Sequence, residues 1–319
     1  MLPDADALPG ILLDLAVPHE DINELVALRR TLTADAGAMR LLDECVEELV
    51  RDIGEVGEAG AGVPLGDRLA EAPATRPLGD RLAEAPATLG SYFAAYVFVA
   101  ALPHTRAFHR ERGVPDDIGR HTLADFGRNM AFHRRQHGTG GVLVPQWLTL
   151  HFRGELYQLG RLQFERARLG QRTGRAVAAS GTDVTPGEPC LNLHIPGFYG
   201  PLSPEACDRS LDSARTFFAR HFPQERHRVA VCHSWLLDPQ LKRYLDPESN
   251  IVRFQERFRS AREPGAEPDR ADTDPVCFVF GDPNLPVESL PRRTSVERAV
   301  GDHLRAGGHW HLGHGWFPL

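Results

Sequence analysis

The sequence predicts an α+β protein: an all-helical N-terminal domain over residues 1–158, then a mixed β-sheet domain with flanking helices over 159–319. Three observations carry that reading. At 319 residues the chain is long for one hydrophobic core and natural for two. Apolar residues recur at helical spacing through roughly the first 155 positions. After Gly160 the pattern changes to alternation, the period of a half-buried strand.

The first elements lie in 20–53, where Ile22, Leu25, Leu28 and Leu32, then Leu41, Val46, Leu49 and Ile53, repeat near one helical face. PLGDRLAEAPAT at 64–75 then recurs identically at 77–88, separated by Arg76 alone. Two identical copies mark a tandem duplication rather than a solenoid, which needs three or more diverged units. Proline-bounded and mostly polar, the 64–88 stretch is expected in a surface connection, where added length costs little. LGSYFAAYVFVAAL at 89–102 reads as a buried helix, and TLADFGRNMAFHRRQHG, with Leu123, Phe126, Met130 and Phe132, as an amphipathic one. Leu148, Phe152, Leu156 and Leu159 predict one further helix running to Gly160.

Beyond Gly160, strands are expected at LQFERARL (162–169), LNLHIP (191–196), RVAVCHSWLL (228–237), IVRFQERF (251–258), PVCFVF (275–280) and HWHLGHGWF (309–317). Helices fill the gaps at 203–222, 238–245 and 294–307, a layered sheet-and-helix domain. REPGAEPDRADTD at 262–274 is charged and contains prolines, as an exposed loop between two strands would.

Composition narrows the function. A hydrophobic fraction of 42% and a charged fraction of 25% are those of a soluble globular protein. The apolar run Tyr92 to Leu102 is about half the length of a membrane span, and MLPDADALPGILLDLAV has no basic n-region, so the cytoplasm and no membrane partner are expected. A net charge of −7 argues against nucleic acid. Lys242 is the one lysine, in a polar helical segment, so Schiff-base chemistry is not expected and anion contacts fall to arginine, histidine or backbone N–H. Cys45, Cys190, Cys207, Cys232 and Cys277 include no Cys-x-x-Cys pair and indicate neither a disulfide framework nor a zinc knuckle.

Several local words carry more than a fold. They are YVFVAALP at 96–103, WLTLHFRGELYQLGRLQF at 147–164, LHIP at 193–196, GPLSPEACDRSL at 200–211 and CHSWLLDPQL at 232–241. SNIVRF at 249–254, LPRRTSVERAV at 290–300 and GGHWHLGHGW at 307–316 continue the series. In these words and their order the chain resembles bacterial acyltransferase-domain proteins, which pair a helical N-acyltransferase-type N-terminal domain with a GNAT-like C-terminal domain. The resemblance implies a fold in which two neighbouring parallel strands splay and an acyl thioester of coenzyme A, acyl-CoA or acetyl-CoA, lies in the opening as co-substrate.

On that reading LNLHIP is the first splayed strand and VAVCHSW its neighbour, and SPEACDRSL opens the helix whose N-terminus faces the pyrophosphate. Ile195, Gly197, Gly200 and Ser203 are then donor-site candidates. Ser203 suits an N-cap and Pro204 a first helical residue. PGFYGPLSPEA departs from the Arg/Gln-x-x-Gly-x-Gly/Ala signature usual in GNAT enzymes, and Glu205 opposes a phosphate at that helix end. Arg292 and Arg293, before another helix start, are candidates for the 3′-phosphate or an acceptor carboxylate.

The candidate chemistry is histidine chemistry. Strand alternation places His194 with Asn192 on one face, and His233 with Val229 and Val231, while Ser234 shares the other face with Ala230 and Cys232. Histidines at strand carboxyl ends fall where α/β sheets bind ligands. His194 or His233 is expected to act as general base toward an amine, with Asn192 or Ser234 as donor or orienter. Ser234 as a covalent nucleophile lacks the Gly-x-Ser-x-Gly elbow.

In HWHLGHGW, His309, His311 and His314 raise the question of zinc, but the motif holds no carboxylate, and no metal is expected. His309, Trp310 and His311 are acceptor-pocket candidates instead. So are His151, Arg153, Tyr157 and Arg161 at the domain junction, where pockets concentrate. The expected function is acyl-CoA-dependent N-acyl transfer to a small-molecule amine, with the helical domain roofing the cleft. Two alternatives remain: a non-catalytic GNAT-like scaffold that binds a ligand or partner, and a thioester or amide hydrolase with water as acceptor.

Overall fold

The computed structural model describes residues 2–59, 77–262, 265 and 267–319. The chain divides into two compact units. One comprises the described residues up to Glu55 and from 77 to Tyr157. The other comprises 56–59 together with Gln158–Leu319.

The first unit is helical: Leu8–Asp14, His19–Ala34, Ala36–Arg51, Pro77–Leu82, Phe93–Glu111, Asp116–Leu123, Asp125–His137 and Pro145–Phe152. Asp35 starts the third of these by accepting from the N–H groups of Gly37 at 2.8 Å and Ala38 at 3.0 Å. Every residue from Phe93 to Leu102 is buried, so this helix runs through the unit's core, as a segment apolar on all sides must. The duplicated stretch is described only in its second copy, most of which is exposed or half-buried. Its first copy lies outside the described residues, but Leu78 of the second is buried in the helical core. Arg81 pairs with Glu44 and Glu48 on Ala36–Arg51.

The second unit holds a six-stranded sheet: β1 (Leu156–Leu159), β2 (Leu162–Arg168), β3 (Pro189–His194), β4 (Val229–Ser234), β5 (Arg259–Ser260) and β6 (Gly313–Pro318), in the order β1-β2-β3-β4-β6-β5. β2 and β3 are antiparallel, β3 and β4 parallel, and β6 antiparallel to both β4 and β5. One face carries Ala167, Cys190, Val229, Val231 and Trp316, packed against Val177 of the helix Gln171–Ala179. On the other, Phe164 meets Phe218 of the helix Pro204–His221 edge-on, ring centroids 6.5 Å apart. A buried ion pair joins the same face to that helix's end: Arg166 pairs with Glu225 and stacks 4.0 Å over the Phe222 ring.

Five sequence expectations fail here. The helix expected to reach Gly160 stops at Phe152, because Gly154 turns at φ +69° against the Phe108 ring, and 156–159 pairs as β1. IVRFQERF is a helix over Asn250–Gln255, capped by Ser249 and followed by the two-residue β5. PVCFVF is the end of a helix over Thr273–Phe280, closed by Gly281 at φ +84°, so 262–274 joins β5 to a helix rather than to a strand. Of HWHLGHGWF only 313–317 is strand. The preceding residues lie antiparallel to 269–271, with Ala271 N–H donating to Trp310 O and Leu312 N–H to Asp269 O. The expected 238–245 helix is a 3₁₀ turn, Pro239–Arg243.

Candidate active site

The parallel ladder between β3 and β4 records Leu191↔Ala230 and Asn192↔Val231. Beyond it β3 runs on to His194 and β4 to Ser234. Cα partners in neighbouring strands share a face, so the register defines two transverse rows. One is Glu165, Asn192, Val231 and Trp316. The next, at the carboxyl ends of β3 and β4, is Gln163, His194, His233 and His314. His194 on β3 and His233 on β4 each stand two residues past the last ladder pair.

His194 is held from β2. Its Nε2 lies 2.7 Å from Glu165 Oε2, and Asn192 Nδ2 donates to the same oxygen at 2.8 Å. The 3.3 Å separation of Asn192 Nδ2 and His194 Nε2 follows from two donors sharing one acceptor. Glu165 and Asn192 are buried while His194 is partly exposed, so the carboxyl group fixes the ring from beneath. With Nε2 donating, the neutral ring carries its lone pair on Nδ1. Glu165 was absent from the sequence expectations. Its signal is a carboxylate within an alternating strand, and its partner is visible only once the β2–β3 register is known.

His233 pairs with His314 across β4 and β6, Nδ1 to Nδ1 at 2.7 Å. His314 Nε2 contacts Asp269 Oδ2 at 2.8 Å, and Arg172 Nη1 donates to the same oxygen at 2.6 Å. Burial alone would raise the Asp269 carboxyl, but the hydrogen bonds from Arg172 and His314 outweigh it and hold it below the usual range. The glycines around His314 have a packing reason. A Cβ at Gly313 would lie 2.5 Å from Leu237 Cβ and 2.6 Å from its carbonyl carbon, and one at Gly315 2.8 Å from Phe258 Cβ. β6 therefore presses a bare face onto the turn after β4 and presents His314 from the other.

The segment after β3 is anchored at its base, where Arg161 Nη1 donates to Pro196 O at 2.8 Å. Ser203 caps the Pro204–His221 helix by accepting from Ala206 N–H at 3.3 Å. Glu205's own backbone N–H and the Ser203 hydroxyl keep its carboxyl below the ordinary range, which ties that charge to the helix start. Apart from the chain neighbours, no described protein atom lies within 4 Å of where a Cβ would stand on Gly197 or Gly200, and Gly200 has φ +76°. Ile195 is half-buried beside them.

Other predicted site residues are placed elsewhere. His151 is fully buried, its Nε2 3.2 Å from Asp125, and Tyr157, also fully buried, packs its ring 5.5 Å from His109; neither presents surface to an acceptor. Arg153 is buried and pairs with Asp52 at 2.7 Å. Arg161 is buried and donates to Pro196 O on the segment that follows β3. Trp310 is a core residue packed with Leu241, Val252 and Val300. His309 and His311 pair with Asp272 at 3.0 Å and Asp238 at 3.4 Å, so each histidine of HWHLGHG has its own aspartate. No group of three or more such side chains arranged to hold a metal occurs among the described residues. Ser234 Oγ accepts from Leu236 N–H and serves as a turn cap. Arg292 pairs with Asp302, and Arg293 N–H donates to Glu297 within the capping box of Ser295–Arg305.

A mixed sheet whose central parallel pair runs past its ladder into a row of histidines, beside a capped helix start, defines a GNAT-like acyl-transfer domain. Residues 6–154 match the N-acyltransferase N-terminal domain model and residues 156–317 the GNAT-like C-terminal domain model, so the chain belongs to the two-domain acyltransferase family that these models describe. Among solved structures it is similar to an acyltransferase in complex with decanoyl-CoA and teicoplanin, at 37% identity and a TM-score of 0.79, covering 100% of this chain and 90% of that one. It is equally similar, at 37% identity with a TM-score of 0.78 and the same coverage, to an acyltransferase variant in complex with octanoyl-CoA. An acyltransferase in complex with CoA and 10C-teicoplanin matches at the same identity, TM-score and coverage as that variant. No curated protein matches the chain in sequence. Among the described residues, no helix is long and apolar enough to cross a membrane.

Proposed function

We propose that the protein transfers a medium-chain acyl group from acyl-CoA to an amine of a small-molecule acceptor, directly and without a covalent enzyme intermediate. The observation that carries this reading is His194 at the end of β3, beside the β3–β4 opening, with Nε2 bound to buried Glu165. The thioester lies in the opening, its pantetheine arm along the end of β3. The pyrophosphate lies at 197–203, where the two glycines leave open space.

His194 Nδ1 takes the proton as the amine nitrogen attacks the thioester carbonyl. Glu165 holds the ring orientation and stabilises the imidazolium that forms. The acyl-CoA and teicoplanin bound by the similar structures support a fatty acyl donor and an acceptor of the glycopeptide class. Amines of such acceptors are the expected nucleophiles.

The test is a paired assay with octanoyl- or decanoyl-CoA and a glycopeptide aglycone, following free thiol and acceptor mass together. Thiol release matched by acylated acceptor is the expected result. Thiol release without acylated acceptor would make the protein a thioester hydrolase, and neither signal would make it a non-catalytic scaffold.

A further inference from the structure

The helical unit carries a ligand site of its own: we infer that a cavity along the Phe93–Glu111 helix binds a medium-chain carboxylate, its tail on an apolar floor and its anion at Arg106 and Arg110. The inference does not depend on the acyl-transfer reading above, because every residue it uses lies in the first unit.

The helix supplies one wall as a graded stripe. Val99, Leu102, Pro103, Arg106 and Arg110 follow one another at helical spacing and line a cavity of about 270 Å³. The stripe starts apolar, with Val99 and Leu102 each 2% exposed, and ends in the two arginines. Pro103 extends the apolar part, since it is exposed where a helix surface ordinarily carries a polar side chain. It also has no N–H to give the Val99 carbonyl one turn back, the reason proline is disfavoured inside helices. Pro3 and Ile11 complete the lining. Ile11 belongs to Leu8–Asp14, and Pro3 is tied down by Arg29, whose Nη2 donates to its carbonyl at 3.0 Å.

Charge selects the head group. Arg106 pairs with Asp14 at the surface, whereas Arg110 has no carboxylate partner among the described residues. Two arginines against one aspartate leave one net positive charge at this end of the cavity. A carboxylate brings one negative charge and accepts two parallel hydrogen bonds from a guanidinium fork. A phosphate dianion would meet the Asp14 charge with no second cation to offset it. The Arg106–Asp14 pair is itself exposed, so it holds Arg106 weakly and leaves it available to the anion.

Size selects the tail. From Val99 to Arg110 the helix rises about 16 Å. The cavity sits just below the usual range of ligand pockets, about 300–1,000 Å³. One unbranched chain of medium length covers Val99, Leu102 and Ile11 while its carboxylate reaches the arginines. Acetate would leave that apolar floor bare, and the paired chains of a phospholipid exceed the space.

The test is calorimetric titration of decanoate into wild-type protein, Arg110→Gln and Arg106→Gln/Arg110→Gln, with acetate and decylamine as comparison ligands. Arg110 is exposed and outside the core, so its replacement leaves the helix intact. One saturable site is expected in wild type, weakened about 10-fold by Arg110→Gln and about 100-fold by the double variant. Acetate and decylamine are each expected to bind at least about 100-fold more weakly than decanoate, one for want of a tail and the other for its charge. No saturable decanoate binding, an equal Kd in wild type and the double variant, or decylamine binding as tightly as decanoate would each overturn the inference. Binding to anionic lipid vesicles without binding of free decanoate would overturn it too, and would make the stripe a lipid contact.

Discussion

His194 Nε2 lies 2.7 Å from Glu165 Oε2, across the antiparallel register of β2 and β3, and the carboxyl group is buried while the imidazole reaches solvent. On the proposed mechanism that relationship orients the strand-end histidine as the proton acceptor. Replacing Glu165 by Gln keeps the shape but removes the charge that stabilises the imidazolium. Steady-state kinetics of Glu165→Gln should show kcat reduced by about 10- to 100-fold with KM for acyl-CoA little changed. His194→Ala should lose about 100- to 10,000-fold. A Glu165→Gln enzyme with wild-type kcat would remove the carboxyl group from the mechanism.

Gly313 makes a second, structural prediction. A methyl group there would meet Leu237 Cβ at 2.5 Å and its carbonyl carbon at 2.6 Å, and backbone cannot yield as a side-chain tip can. Gly313→Ala should cost about 1–3 kcal/mol in chemical denaturation and shift His314 out of register with His233. Wild-type stability in this variant would show that β6 is not pressed onto the 235–237 turn.

The buried pair in the sheet domain predicts a larger effect. Burial would raise the Glu225 carboxyl, but the hydrogen bond from Arg166 and the contact with His227 bring it down to about 2. A depressed carboxyl contributes stability above its unfolded value, lost as pH falls toward about 2. Glu225→Ala leaves Arg166 buried beneath Phe222 without its carboxylate and should destabilise by about 3 kcal/mol. The double variant Arg166→Met/Glu225→Ala, measured in the same denaturant series, should recover part of that loss.

In the helical unit, His109 is buried against Tyr157 and Gly119, and desolvation, helped by the Arg106 charge, pushes its pKa down to about 4. The folded form therefore binds fewer protons than the unfolded chain between about pH 6.5 and 4. Stability should fall with pH across that window, by up to about 3 kcal/mol. A neutral replacement, His109→Gln, should flatten this part of the stability–pH curve. An unchanged slope would show that His109 titrates normally in the folded state.

The segment from β3 to the helix Pro204–His221 is legible in the sequence because its signals are local. LNLHIP alternates, SPE is a helix start, and both stand where expected, as β3 and the Ser203-capped helix. IVRFQERF and PVCFVF were misread because runs of six to eight apolar-rich residues fit both periods, and β-branched and aromatic composition tipped them toward strand. Flanking residues decided otherwise: Ser249 as a cap in one case, Gly281 as a stop in the other. The partners that orient the histidines were illegible for a different reason. Glu165 is 29 residues from His194 and Asp269 45 from His314, separations that only the strand register and the 269–271 crossing resolve.

The most direct measurement of the central claim is calorimetric titration of the protein with decanoyl-CoA, in wild-type and His194→Ala forms. The account predicts saturable binding to both with similar Kd, because His194 moves a proton and does not hold the donor. Absence of binding to either form at millimolar ligand would contradict the claim that the β3–β4 opening is an acyl-CoA site.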